Sequence, residues 1–151
     1  MSNTMRGMIS GFIATLVLSA LLLLKGTMDL YPQINFITLL TNLGSIGTVA
    51  AWMDHFIIGT VVWGLLYAAL DSISELPRWL KGLIIGAFGW FLMMVLFLPV
   101  AKAGLFGMKL GIEVPIVLLV LHLIYGAVLG VTYGLLTALA PAKAAESSPQ
   151  A

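Results

Sequence analysis

The stretch PIVLLVLHLIYGAVLGVTYGLLTAL, Pro115 to Leu139, decides the fold of this chain. It contains no charged residue. A helix rises about 1.5 Å per residue, so about 20 apolar residues cross the hydrocarbon core of a bilayer. The run is longer than that and predicts a transmembrane helix. Pro115 suits the first turn, where a missing N–H costs little, and Pro141 suits a stop. Working outward, three more apolar runs reach spanning length. They cover about Met5 to Leu24, a segment within Ile46 to Leu70, and about Leu80 to Val100.

The composition agrees. Hydrophobic residues make up 61% of the 151 residues and charged residues 9%. Soluble chains carry about 25% charged residues. The mean hydropathy is +1.11. A net charge of +1 without a basic stripe excludes a nucleic-acid partner. The absence of cysteine excludes disulfides, thiolate zinc sites and iron–sulfur clusters. GxSxG, Walker A, HExxH and a GxGxxG after a strand are all missing, so no enzyme is expected. The first run follows Arg6 as a signal peptide would. It ends in four leucines and Lys25 rather than a small-residue cleavage site, and reads as a retained span.

The expected architecture is all-α, with four transmembrane helices at about 5–24, 46–70, 80–100 and 115–139. They form one membrane domain over 1–141, followed by a disordered tail over 142–151. Between the first two spans, Pro32 is expected to start a short helix and Gly44 to end it. That helix lies on the bilayer or packs on the bundle. The loop after the third span holds Gly104, Gly107 and Gly111, with Leu105 and Phe106 expected to dip toward the membrane. Arg6, Arg78, Lys81 and Lys143 against Lys25, Lys102 and Lys109 favour cytoplasmic termini at a bacterial inner membrane.

The two histidines sit in a repeated phrase. His55-Phe-Ile-Ile-Gly59 returns as His122-Leu-Ile-Tyr-Gly126. Spans one and three open alike, Arg6-Gly7-x-Ile-x-Gly11 and Lys81-Gly82-x-Ile-x-Gly86. Spans two and four close alike, Gly64-Leu-Leu and Gly134-Leu-Leu. The chain therefore reads as two tandem helical hairpins, related about an axis along the membrane normal. Gly7, Gly11, Gly82, Gly86, Gly126, Gly130 and Gly134 stand at the small-residue spacing that lets helices in lipid approach closely. Counting back from Leu70 to His55 and from Leu139 to His122 gives about 22 and about 26 Å of helix, so the imidazoles are expected at matched depth in the outer half.

A histidine in hydrocarbon needs a partner or a role. Four readings stay open. Each imidazole bonds a neighbouring helix, with Asp54 capping a shortened second span. His55 and His122 hold haem b as axial ligands. The two histidines hold copper or another metal with Met93 and Met94. A histidine and Asp54 relay a proton or solute. Thr15 and Ser19 are expected to bond backbone carbonyls of their own helix.

From Gly7 to Tyr133 the chain resembles a family of small, uncharacterised bacterial four-helix membrane proteins. The resemblance rests on Gly11-x-x-Ala-Thr-x-x-x-Ser-Ala20, Trp52-x-x-His55-Phe-x-x-Gly59-Thr60, Trp90-x-x-Met93-Met94 with Pro99, Gly104-x-Phe106, and His122-Leu-x-Tyr-Gly126. It implies a four-span inner-membrane protein in which the histidines, Trp90 and Met93 are shared features. It implies no activity. The functional expectation is an accessory subunit of a larger membrane complex, respiratory or other, whose partners are lipid and other membrane subunits or itself. The alternatives are a haem b or copper carrier and a small transporter.

Overall fold

The computed structural model describes residues 1–31, 34–44 and 46–139. Among these the chain is helical, without strands. Four helices are long and apolar enough to cross a membrane: α1 (Asn3–Thr27), α3 (Thr48–Ile73), α4 (Arg78–Val100) and α5 (Val114–Ala138). A short helix, α2 (Phe36–Gly44), lies between α1 and α3. Pro32, Pro141, Lys143 and the 142–151 tail fall outside the described residues.

The helices bury the small side of their sequence. In α1 the buried face is Gly7, Ser10, Gly11, Ala14, Thr15 and Ser19. Its large residues, Phe12, Leu16 and Leu23 among them, point outward. This reverses the pattern of a soluble helix, because an apolar surround gives large side chains no reason to hide and helices gain instead from close backbone contact. The hydroxyls bond back along the helix: Ser10 to the Arg6 carbonyl, Thr15 to Gly11 and Ser19 to Thr15, each at 2.7 Å.

Two glycine seams follow. Where α1 meets α3, the backbone of Gly7 lies against Gly64 and Ala68, and Gly11 against Gly59 and Thr60. Where α4 meets α5, Gly82 lies against Gly126 and Gly130, and Gly86 against His122. Gly130 also faces the Arg78 carbonyl, 2.5 Å from where a Cβ would stand. Gly134 faces only the Arg78 side chain at 3.7 Å and is not part of the tight seam. Helix α5 also packs on α1, which joins the two pairs. Of the neighbouring pairs of long helices, α3 and α4 pack least, although a short loop connects them.

The ends are set by local chemistry. The Asn35 side chain accepts the Thr38 N–H at 3.0 Å, an N-cap that starts α2 at Phe36 rather than at Pro32. Ile37 and Leu40 of α2 are buried on Ala51 of α3, so this helix packs on the bundle. Gly47 precedes α3, and Asp54 is an exposed residue inside the helix, so Asp54 caps nothing. After α4 the chain turns through left-handed Lys102, Gly104, Phe106, Gly107 and Gly111. Phe106 packs edge-on to Trp90, ring centroids 6.0 Å apart, while Leu105 stays exposed. The Trp90 indole donates to the Pro115 carbonyl at 2.8 Å, tying α4 to the start of α5.

At the end that carries the N-terminus, Lys81 is buried and its Nζ reaches the Asp71 carboxylate at 2.6 Å. Arg78 adds a second cation, 3.6 Å from the same oxygen. Tyr67 and Tyr133 meet at a tilt beside them, centroids 4.8 Å apart, and the Tyr67 hydroxyl donates to the Arg78 carbonyl at 2.8 Å.

Candidate functional site

Helices α3 and α4 each loosen at one turn. In α3 the π turn is Ile58–Val62, and the Trp63 N–H reaches back to the Ile58 carbonyl. In α4 it is Met93–Phe97, and the Leu98 N–H reaches back to Met93. The second has a cause in the sequence. Pro99 has no N–H, and its ring crowds the carbonyl four residues earlier, so the ladder widens just before it. The first is held from outside: the Tyr125 hydroxyl of α5 donates to the Gly59 carbonyl at 2.6 Å. Such turns often mark functional sites in helices.

The two widened turns line one cavity of about 220 Å³ between α3 and α4. Trp63 forms its floor, its benzo edge 3.2 Å from where a Cβ on Gly89 would stand and its ring edge-on to Phe88 at 6.2 Å. Phe36 of α2 forms its roof, 5.2 Å from Phe97 and 5.7 Å from the His55 ring. The lining residues Ile58 and Leu96 are 39% and 60% exposed, which puts the mouth between the two helices on the outer surface of the bundle.

Both histidines line this cavity. Their hydrogen bonds fix their tautomers. His122 Nδ1 lies 2.7 Å from the Leu118 carbonyl, which can only accept, so Nδ1 carries the proton and Nε2 is a bare acceptor. His55 Nε2 lies 3.2 Å from Ser19 Oγ. The Ser19 hydroxyl already donates to Thr15, so it accepts here, and His55 carries its proton on Nε2. Each imidazole is satisfied as a donor by a helix. The His55 ring is also fenced by Trp52 at 5.7 Å and Phe56 at 5.8 Å.

The histidines share the cavity but are not equivalent positions. Gly7 meets Gly64 as Gly82 meets Gly126, and Gly11 meets Gly59 as Gly86 meets His122. By this register the counterpart of His122 is Gly59, about one turn from His55. The π turn in α3 takes up one extra residue between the paired contacts. The repeated His-x-x-x-Gly phrase is therefore displaced relative to the packing.

A porphyrin between two axial imidazoles needs a slot with two lone pairs aimed at one iron. His55 commits Nε2 to Ser19, which leaves it only Nδ1 as a ligand atom, and the cavity falls below the range of about 300–1,000 Å³ typical of drug-sized ligands. The lining suits a smaller guest. Met93 lines the cavity beside the histidines, whereas Met94 is fully buried in the core and does not. No group of three or more His, Cys, Asp or Glu gathers among the described residues.

Tyr125 was not singled out from the sequence, yet it braces the site. Tyr125→Phe should cost about 1–3 kcal/mol, because the Gly59 carbonyl would be left buried without its donor. Unfolding in SDS from mild detergent, followed by tryptophan fluorescence, reads this directly. A change below about 0.5 kcal/mol would mean that the bulge needs no brace.

A model of a family of unknown function, DUF6789, matches residues 1–143. No curated protein and no solved structure matches the chain.

Proposed function

The chain belongs to this family of unknown function, and we propose that it is a non-catalytic accessory protein of the membrane that holds a small lipid-soluble guest between two hairpins. The cavity between α3 and α4 carries this reading: it is almost wholly apolar, opens sideways, and contains both intramembrane histidines. A side opening serves a guest that arrives from lipid.

The setting follows the same reading. Outward Phe12, Leu16, Phe88, Phe91, Ile116 and Leu135 suit a lipid surround. The matching glycine contacts of α1 on α3 and of α4 on α5 support a tandem hairpin repeat. Arg6, Arg78 and Lys81 favour cytoplasmic termini, in a bacterial inner membrane. The roles for such a protein are a subunit of a larger assembly, respiratory or other, and a carrier for its guest.

Native mass spectrometry of the protein released from its own membrane tests this. The expected result is the chain with partner subunits and about one small molecule. Leu92→Trp, which fills the cavity, should lose the small molecule and keep the partners. A solitary, bare chain contradicts the proposal.

A second reading has two observations in its favour. His122 Nε2 has no partner among the described residues, and Met93 lines the same cavity. Imidazole with thioether suits copper. Elemental analysis of the same preparation should show stoichiometric copper under this reading and none under the first. A Soret band would instead revive haem.

A further inference from the structure

The hydrogen-bond inventory of the cavity wall is lopsided. Thr15 donates to the Gly11 carbonyl at 2.7 Å, Tyr125 to Gly59 at 2.6 Å, and His122 Nδ1 to Leu118 at 2.7 Å. His55 Nε2 donates to Ser19 Oγ at 3.2 Å. The indole N–H of Trp63 is the one side-chain donor in the lining without a partner among the described residues. On the acceptor side, Nε2 of His122 is bare; Nδ1 of His55 also lacks a donor, but Phe36, Trp52 and Phe56 surround that ring. A lone pair in an apolar cavity is costly unless something donates to it.

We infer that the guest carries a hydroxyl, a phenol or alcohol on an apolar body, whose O–H donates to Nε2 of His122. This rests on the cavity being a ligand site at all. A hydroxyl donates, so it satisfies the imidazole lone pair. A ketone or ether would set its lone pair against that of the imidazole. The size agrees: a dry cavity of about 150 Å³ holds benzene, and about 220 Å³ leaves room for one ring with short substituents. A longer tail would leave through the mouth between Ile58 and Leu96.

The test compares 4-propylphenol with its methyl ether, which keeps the shape and lacks the donor. Saturable binding to the purified full chain is measured in mild detergent. The phenol should bind about five- to tenfold more tightly, the effect of one neutral hydrogen bond. His122→Leu should abolish the preference while leaving ether binding in place. His122→Gln, whose amide oxygen can accept, should restore part of it. Equal affinity of the two probes for the wild type overturns the inference and leaves the ligand site standing. So does a preference that survives in His122→Leu. If neither probe binds the wild type, both the inference and the ligand site fail. The wild-type comparison needs no variant to fold.

Discussion

Gly82→Val should abolish folding or lower stability by more than about 3 kcal/mol, the upper end of ordinary overpacking. A Cβ on Gly82 would run into the Gly126 carbonyl and stand 2.9 Å from the Gly130 nitrogen. Both are backbone of the facing helix, so no rotamer change relieves the clash. The helices would have to separate along the seam that holds α4 on α5. In an apolar solvent that contact is the main attraction between them, because lipid competes equally for the large side chains. Gly26→Ala is the matched control. Gly26 stands in α1 with nothing within 4 Å of its Cβ position. It should leave stability unchanged or raise it by up to about 1 kcal/mol through helix propensity. SDS unfolding of the two variants separates the cases. Equal, small effects would mean that the seam carries little of the fold.

Asp71→Asn should cost about 3–5 kcal/mol, because it leaves the buried Lys81 ammonium uncompensated. The Lys81 side chain is 4% exposed and its carboxylate partner 10%. Lys81→Met should cost less, since Arg78 remains beside Asp71 at 3.6 Å. The double variant Asp71→Leu with Lys81→Met should recover to within about 2 kcal/mol of the wild type, because a buried pair gains little over apolar packing. A double-mutant cycle read by SDS unfolding gives the coupling directly. Strictly additive single effects would show that the two charges act independently. The position of the pair suggests its purpose. It joins the end of α3 to the start of α4, the least closely packed of the neighbouring pairs, so the pair closes one end of the gap whose other part is the cavity.

The long elements were legible because their signal is bulk hydrophobicity. The four spans begin and end within a few residues of the apolar runs, and Pro115 stands in the first turn of α5 as its missing N–H allows. The seam glycines of α1, α4 and α5 were legible from their spacing, apart from Gly134, whose spacing is right but whose face meets only a side chain. Thr15 and Ser19 bond their own backbone, as isolated hydroxyls in such a helix should. The register of the histidines was not legible. His55 stands nine residues before its seam glycine Gly64 and His122 four before Gly126, and the π turn in α3 takes up only one of those five residues. Pro99 did carry a local warning for the turn in α4. Gly59 and Gly64 looked like parts of the repeat, and only the fold shows them as the α3 side of the first seam. Phe36, Trp63 and Tyr125 close or brace the cavity from three different helices, a convergence that no linear spacing encodes.

The cavity is the claim on which the functional account depends, and xenon reports it most directly. Dry apolar cavities of this size take up xenon. In crystals of the protein pressurised with the gas, an anomalous peak should appear between α3 and α4, bounded by Trp63, Phe36 and His122, and should vanish in Leu92→Trp. An empty map at that position in the wild type, with Trp63 and Phe36 collapsed onto the histidines, would contradict the account.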